Sequence, residues 1–201
     1  MTLIKRSSKG SALSYDEMDG NLEYLHSGPG KIIEMLTGTC DGRTVVGVSG
    51  SYTWPNGTQH IPNTTFVDMN GSVISYTPPT GTNVVKYEFN FQAGYYATYA
   101  PLYHMKFLFD GTEVEHAKMS QYMYYDDRKN YVVALSLNND TPDITDGRIG
   151  TWNTAKEMKI QIRSYTANYR PDVNSTNYWL GPSSGVERQH VKPTLTITAI
   201  G

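Results

Sequence analysis

The side chains able to do chemistry are few in this 201-residue chain, and their spacing argues against catalysis. Its five histidines are His26, His60, His104, His116 and His190, and no two stand at the spacing of metal ligands on one helix or hairpin. His104 and His116 come nearest to a pair. A two-residue turn at Asp110-Gly111 sets His116 opposite Met105, so His104 is expected on the other side of the sheet. Cys40 is the only cysteine, which excludes an intrachain disulfide. Nothing around it marks a nucleophile, and an inert buried thiol is expected. Neither a Gly-x-Ser-x-Gly elbow nor a Gly-rich phosphate loop occurs. Asp126 and Asp127 are adjacent, so on a strand they point to opposite faces, unlike the facing carboxylates of a glycosidase. The expectation is a protein that is not an enzyme, with no catalytic residue, metal or cofactor.

Two features suit binding instead. The loop from Asn138 to Gly147 is rich in oxygen ligands but lacks the order of an EF-hand, and Asx turns account for its composition. Tyrosine is in excess, with sixteen residues. One cluster is Tyr95, Tyr96, Tyr99 and Tyr103; another is Tyr122, Tyr124, Tyr125 and Tyr131. Such amphipathic rings suit ordinary strands, subunit contacts or a platform for sugar rings. Trp54, Trp152 and Trp179 flank loop-like segments and suit the same roles. The candidate contacts for a partner or a host-surface glycan are Tyr95, Tyr96, Tyr99, Tyr124, Tyr125 and Trp179.

The elements that must position these residues fall into two parts, 1–29 and 30–201. Residues 1–13 lack periodicity and read as an extended arm. Ser14 and Glu17 then form a Ser-x-x-Glu capping box, and Asp16, Glu17 and Asp19 place negative charge at the positive end of a helix dipole. Tyr15, Met18, Leu22 and Leu25 make an apolar stripe on one helix face. Gly28-Pro29-Gly30 stops the helix. At about eleven residues it lies below the roughly 12–15 that hold alone in water, so the stripe must pack on its own β-domain, on copies of itself or on a host particle. From Lys31 on, the period is two. Val85, Tyr87, Phe89 and Phe91 alternate with polar residues; so do Met158, Ile160 and Ile162, and Leu195, Ile197 and Ala199. Shorter candidates are 31–36, 43–48, 72–77 and 131–137. The Asp-Gly hairpin over 105–117 pairs Phe107 with Val114 and Lys106 with Glu115. About eight strands without a later helix predict a mainly β fold: an antiparallel β-sandwich, or jelly roll, behind an extended arm and one short α-helix.

With a net charge of −2 and a pI near 6.2, the chain has no global field for nucleic acid or acidic lipid. Lys5, Arg6 and Lys9 give a local basic bias that suits a solvated tail or an acidic docking partner. The longest nearly apolar run, 132–137, is far short of the ~18 residues of a membrane span, and the start has no secretory h-region. No membrane insertion and synthesis in a host cytoplasm are expected.

The segment Gly10-Ser11-Ala12-Leu13-Ser14-Tyr15-Asp16-Glu17-Met18-Asp19-Gly20-Asn21-Leu22 resembles an N-terminal motif of phage tail-fibre and related virion proteins, roughly Gly-x-Ala-Leu-x-x-x-Glu-Leu-Asp-x-Asn-Phe. Leu22 replaces the usual aromatic, and Gly20 stands where a helix former is commoner. The β part looks like a domain that recurs in such proteins, at Gly30-Lys31-Ile32-Ile33-Glu34-Met35, Thr65-Phe66-Val67-Asp68, Ser75-Tyr76-Thr77-Pro78, Phe109-Asp110-Gly111-Thr112 and Leu195-Thr196-Ile197-Thr198-Ala199-Ile200. Family members often carry Glu near Ala199, and 95–131 is not placed by the resemblance. It implies a jelly roll like those of tumour-necrosis-factor and complement-type trimers, fastened to the virion at its N-terminus. The expected function is therefore a fibre-like structural protein of a phage particle and a homotrimer. Leu13, Tyr15, Met18, Leu22 and Leu25 would dock residues 1–29 onto tail, neck or capsid proteins. A head decoration and a glycan-binding host-recognition module are the alternatives.

Overall fold

The computed structural model describes residues 4–27, 30–95, 99–124, 126–179 and 186–201, with the backbone alone at 25–27, 95, 179 and 186. Two helices come first, α1 (Arg6–Lys9) and α2 (Tyr15–Ser27). The strands that follow are β1 (Ile32–Thr39), β2 (Thr44–Val46), β3 (Ser51–Thr53), β4 (Val67–Asp68), β5 (Ile74–Tyr76), β6 (Val84–Tyr95) and β7 (Leu102–Phe109). After them come β8 (Thr112–Tyr122), β9 (Asp127–Ser136), β10 (Lys156–Ser164), β11 (Pro171–Val173), β12 (Ser175–Trp179), β13 (Val186–His190) and β14 (Thr194–Ile200). A 3-10 turn at Ile144–Asp146 lies between β9 and β10.

The fold is mainly β, an antiparallel β-sandwich. Sheet one has the order β1-β14-β6, with β9 on the other side of β6 and β11 extending the β14 side at Ala93. Sheet two has the order β4-β10-β7-β8, with β5 beside β4 along β10. Two hairpins, β2–β3 and β12–β13, stand apart. The fourteen strands among the described residues exceed the eight expected because β2 to β5 and β11 to β13 run for only two to five residues, too short to display a period of two.

The core fills the space between the sheets with the residues that the alternation pointed to. Val85, Tyr87, Phe89 and Phe91 of β6 and Leu195, Ile197 and Ala199 of β14 face Met105 and Phe107 of β7 and Met158, Ile160 and Ile162 of β10, all buried. The Tyr87 and Phe107 rings meet across the sheets at 5.1 Å. Buried Tyr87 also donates to the Ser72 carbonyl at 2.6 Å, so its hydroxyl is satisfied. Trp54 and Trp152 are buried here too, so of the roles open to them they serve packing and not a surface platform.

The hairpin turn forms as expected: Asp110 (φ 49°) and Gly111 (φ 83°) both take the left-handed conformation of a two-residue turn. Phe107 pairs with Val114, but the register then breaks, and Met105 pairs with Met119. Residues 115–118 thus stand against Lys106 alone, as a wide bulge. Two expectations fail for this reason. Lys106 bonds Glu113 at 3.0 Å rather than Glu115, and Met119 rather than His116 faces Met105. The displaced His116 lies against Gly147.

The N-terminal part also departs from an extended arm. One helical turn, α1, is closed by Gly10 at φ 71°. Asn21 clamps Ile4 by accepting from its N–H and donating to its carbonyl, both at 2.7 Å. Lys9 pairs with Glu17. Four residues make too little helix for a periodic signal, and the clamp joins positions seventeen apart. The capping box is present as read: Ser14 N donates to Glu17 Oε2 at 2.8 Å, and Glu17 N donates to Ser14 Oγ at 3.2 Å. Replacing Phe107 with Ala removes a fully buried ring of sheet two from the core. A loss of about 3–5 kcal/mol is expected in urea unfolding, with unchanged folded-state secondary structure by circular dichroism.

Candidate functional site

Three surfaces have a composition that a plain sandwich does not require. The first is the helix stripe. Tyr15, Met18 and Leu22 are 83, 39 and 64% exposed, and Leu13 is half-buried. The stripe therefore does not fold back onto the sandwich. The side chain of Leu25 lies outside the described residues.

The second surface gathers part of the tyrosine excess at the end of sheet two where β7 begins and β8 ends. Tyr122 and Tyr124 meet edge to face at 5.2 Å, both exposed, over a cleft of about 320 Å³ shared with Asp127 and Lys129. Tyr99 stacks on Tyr169 at 5.3 Å, and Tyr169 meets Tyr165 at 6.0 Å. Tyr103 and Tyr131 are core residues instead, and burial pushes their hydroxyl pKa values well above the ordinary phenol value. The side chains of Tyr95 and Trp179, and all of Tyr96 and Tyr125, lie outside the described residues. Asp126 is not paired with Asp127: it accepts from Thr176 Oγ1 at 3.3 Å and from the Asn177 backbone, and so ties β12 down. Asp127 bonds Lys129 at 2.6 Å.

The third surface was not legible beforehand. Successive partners across sheet two place Arg163 beside His104 and His104 beside Ser120, and Phe66 enters the row from just before β4. The bulge in β8 takes Lys118 out of register with β7, and a cavity of about 270 Å³ opens there. Lys106 lies over the Phe66 ring at 4.7 Å and Arg163 at 5.2 Å. Glu113 takes both lysines, Lys118 at 2.9 Å and Lys106 at 3.0 Å, and they hold its carboxyl below the ordinary value. His104 Nδ1 meets Ser120 Oγ at 2.7 Å, while His104 Nε2 and Arg163 Nε are buried without a hydrogen-bond partner. Desolvation, with a smaller effect from Arg163, holds the His104 imidazole below its ordinary pKa. The sequence reading weighed His104 only as a metal ligand and passed over Phe66 and Arg163. Outward-facing charges at 104, 106 and 163 were the available signal, but only pairing across three strands brings them together.

Other buried polar groups are structural. Glu34 accepts from Ser49 N at 2.9 Å, Ser49 Oγ at 2.6 Å and Tyr76 Oη at 2.7 Å, and so fastens β1 to the β2–β3 hairpin and β5. Asp172 accepts from Arg188 at 2.6 Å and from Gln59. The oxygen-rich loop closes on itself: Asp143 accepts from Thr145 N at 3.0 Å, and Arg148 reaches Asp146 at 3.2 Å. Among the described residues no three His, Cys, Asp or Glu side chains gather as a metal set, and no helix is long and apolar enough to cross a membrane. A scan against family models gives no match, and a search among curated proteins gives none either.

Two outcomes follow from these environments. Cys40 is fully buried, and desolvation, its largest influence, pushes its thiol up to about 12. A thiol reagent at pH 8 should therefore label it only as fast as the protein unfolds, whereas rapid labelling in buffer would contradict that burial. His104 has a folded pKa below its unfolded one, so the unfolded state binds its proton first. Its effect on stability is absent above about pH 6.5 and turns destabilising as pH falls through that ordinary histidine value. Urea midpoints from pH 8 to 5 should fall less steeply in His104→Asn than in the parent, with His60, also lowered by burial, accounting for part of the remaining slope.

Proposed function

We propose that the protein is a structural component of a bacteriophage particle: a fibre-like appendage, homotrimeric, fastened to the virion by its N-terminal segment. The observation that carries this reading is a well-capped helix whose apolar stripe stays exposed outside a complete sandwich. A thirteen-residue helix with Tyr15, Met18 and Leu22 in water gains little by itself, so its stability and its exposure both favour a partner surface. The resemblance of residues 10–22 to the N-terminal motif of virion proteins supports the same role.

The strand order supports a jelly roll. If β1, β5, β6, β7, β8, β9, β10 and β14 are lettered A to H, sheet one runs A-H-C-F and sheet two B-G-D-E. That is the interleaving of two Greek keys in which the first and last strands are neighbours.

The two outer faces differ in a way that favours sheet one as the contact between copies. Its cross-strand rows read Met35–Thr198–Lys86–Ala134, Thr37–Thr196–Glu88–Val132 and Thr39–Thr194–Asn90–Asn130. The only charges in these rows, Lys86 and Glu88, neutralise each other at 3.1 Å. Sheet two instead carries Lys106, Glu113, Lys159, Asp68 and Arg163 outward. Interface centres are depleted in charge, so sheet one faces its copies and sheet two faces solvent.

Light scattering on the full chain should give three times the monomer mass. Val132→Lys together with Thr196→Lys should reduce it to a monomer that still unfolds cooperatively, because both side chains point away from the core. Removal of residues 1–29, or Met18→Asp with Leu22→Asp, should leave the trimer folded but absent from particles grown with it. Wild-type incorporation by the truncated chain would refute the anchor. Gold labelling of intact particles then separates a tail or neck appendage from a head decoration.

A further inference from the structure

The cavity in the outer face of sheet two holds two side chains that each keep a buried nitrogen without a partner. Arg163 makes no ion pair among the described residues, its Nε is buried and unpartnered, and its guanidinium lies over Phe66 at 5.2 Å. Buried donors left unsatisfied are costly, and a held guanidinium has already lost much of its side-chain freedom. His104 is the second such group in the same cavity. Either group can donate in its bond to Ser120; when Ser120 Oγ–H donates to Nδ1, Nε2 carries a hydrogen that has no acceptor in the protein. Desolvation favours the neutral ring that this tautomer needs.

The local charge points the same way. Arg163, Lys106 and Lys118 against Glu113, with Glu115 at 3.5 Å from Lys118 on the margin, leave one positive charge in excess, in a chain whose net charge is −2. Glu113 occupies only part of each ammonium. A second carboxylate placed toward Arg163 would meet the guanidinium fork, the His104 Nε2–H and the flank of the two lysines. The volume of about 270 Å³ lies near the lower end of the roughly 300–1,000 Å³ of small-molecule sites, which suits one ring rather than a chain. Phe66, the ring beneath Lys106 and Arg163, supplies the apolar wall that a bare phosphate or sulfate would not use.

The site also continues outward. Tyr165 meets His104 edge to face at 6.2 Å and is half exposed, and Tyr169 and Tyr99 extend the row. Aromatic rings laid along a surface beside a cationic pocket offer stacking for successive sugar rings and an ion pair for one of them.

We propose that this cavity binds the carboxylate-bearing ring of an acidic saccharide, with Arg163 and His104 holding the carboxylate and Tyr165 receiving the next ring. The inference does not rest on the anchor reading, and it places the ligand on the face that a trimer built through sheet one leaves free.

The test is calorimetric titration of the full chain with a uronic-acid disaccharide, its neutral methyl ester, and inorganic phosphate. The acid should bind measurably, the ester about tenfold or more weakly, and phosphate more weakly than the acid. Arg163→Gln should lose about tenfold in affinity for the acid, Tyr165→Ala a smaller factor, and Arg43→Gln, an exposed cation before β2, nothing. Should Arg163→Gln unfold, Arg163→Lys keeps the charge and the stem on Phe66, and its affinity should fall between the two. No binding of the acid, equal binding of acid and ester, full affinity in both Arg163 variants, or phosphate bound as well as the acid would each overturn the assignment.

Discussion

The contact of Tyr87 with Phe107, 5.1 Å between rings and wholly buried, sits where the two sheets must face each other, and the rest of the architecture depends on that burial. Both rings belong to strands with a strict period of two, β6 and β7, so fixing one face inward fixes the other outward. Ser72 reinforces the join. Its carbonyl accepts from Tyr87 of sheet one, and its hydroxyl oxygen accepts from Ile160 N of sheet two at 3.2 Å. A one-residue slip of β6 would move Lys86 and Glu88 into this space, which is why the register is so strongly specified.

Because the inner faces are committed, variation is confined to the outer faces, and the two sheets use it differently. The rows of sheet one are small, threonine-rich and nearly uncharged, while those of sheet two are dense in lysine and carboxylate. The bulge in β8 adds a local departure without disturbing the core. Tyr131 of sheet one donates to the Ala117 carbonyl inside the bulge, which anchors the extra residues. A device of this kind re-aims side chains while the strand on either side keeps its pairing, and here it opens a cavity in which two buried nitrogens lack partners.

The N-terminal part obeys a different constraint. Its helix has reciprocal capping at Ser14 and Glu17, a side-chain clamp from Asn21 to Ile4 and the Lys9–Glu17 pair, all local devices that need no β-sandwich. It is ordered by short-range hydrogen bonds and left apolar on one side. That combination suits a segment whose packing partner is another molecule.

The sequence by itself determined what depends on neighbours along the chain. The capping box, the alternation in β6, β10 and β14, and the positive-φ turn at Asp110-Gly111 each involve residues a few positions apart, and each is present. Short strands such as β4 and β11 escaped it, because two or three residues cannot show a period. Only the tertiary structure decided the register beyond Val114, the single turn of α1, the burial of Trp54 and Trp152, and the row Phe66–Arg163–His104–Ser120. That row draws on four segments separated by up to about a hundred residues. Hydrogen-bonded pairing between strands, not spacing along the chain, sets which side chains meet, and a bulge shifts that pairing with no mark in the local pattern.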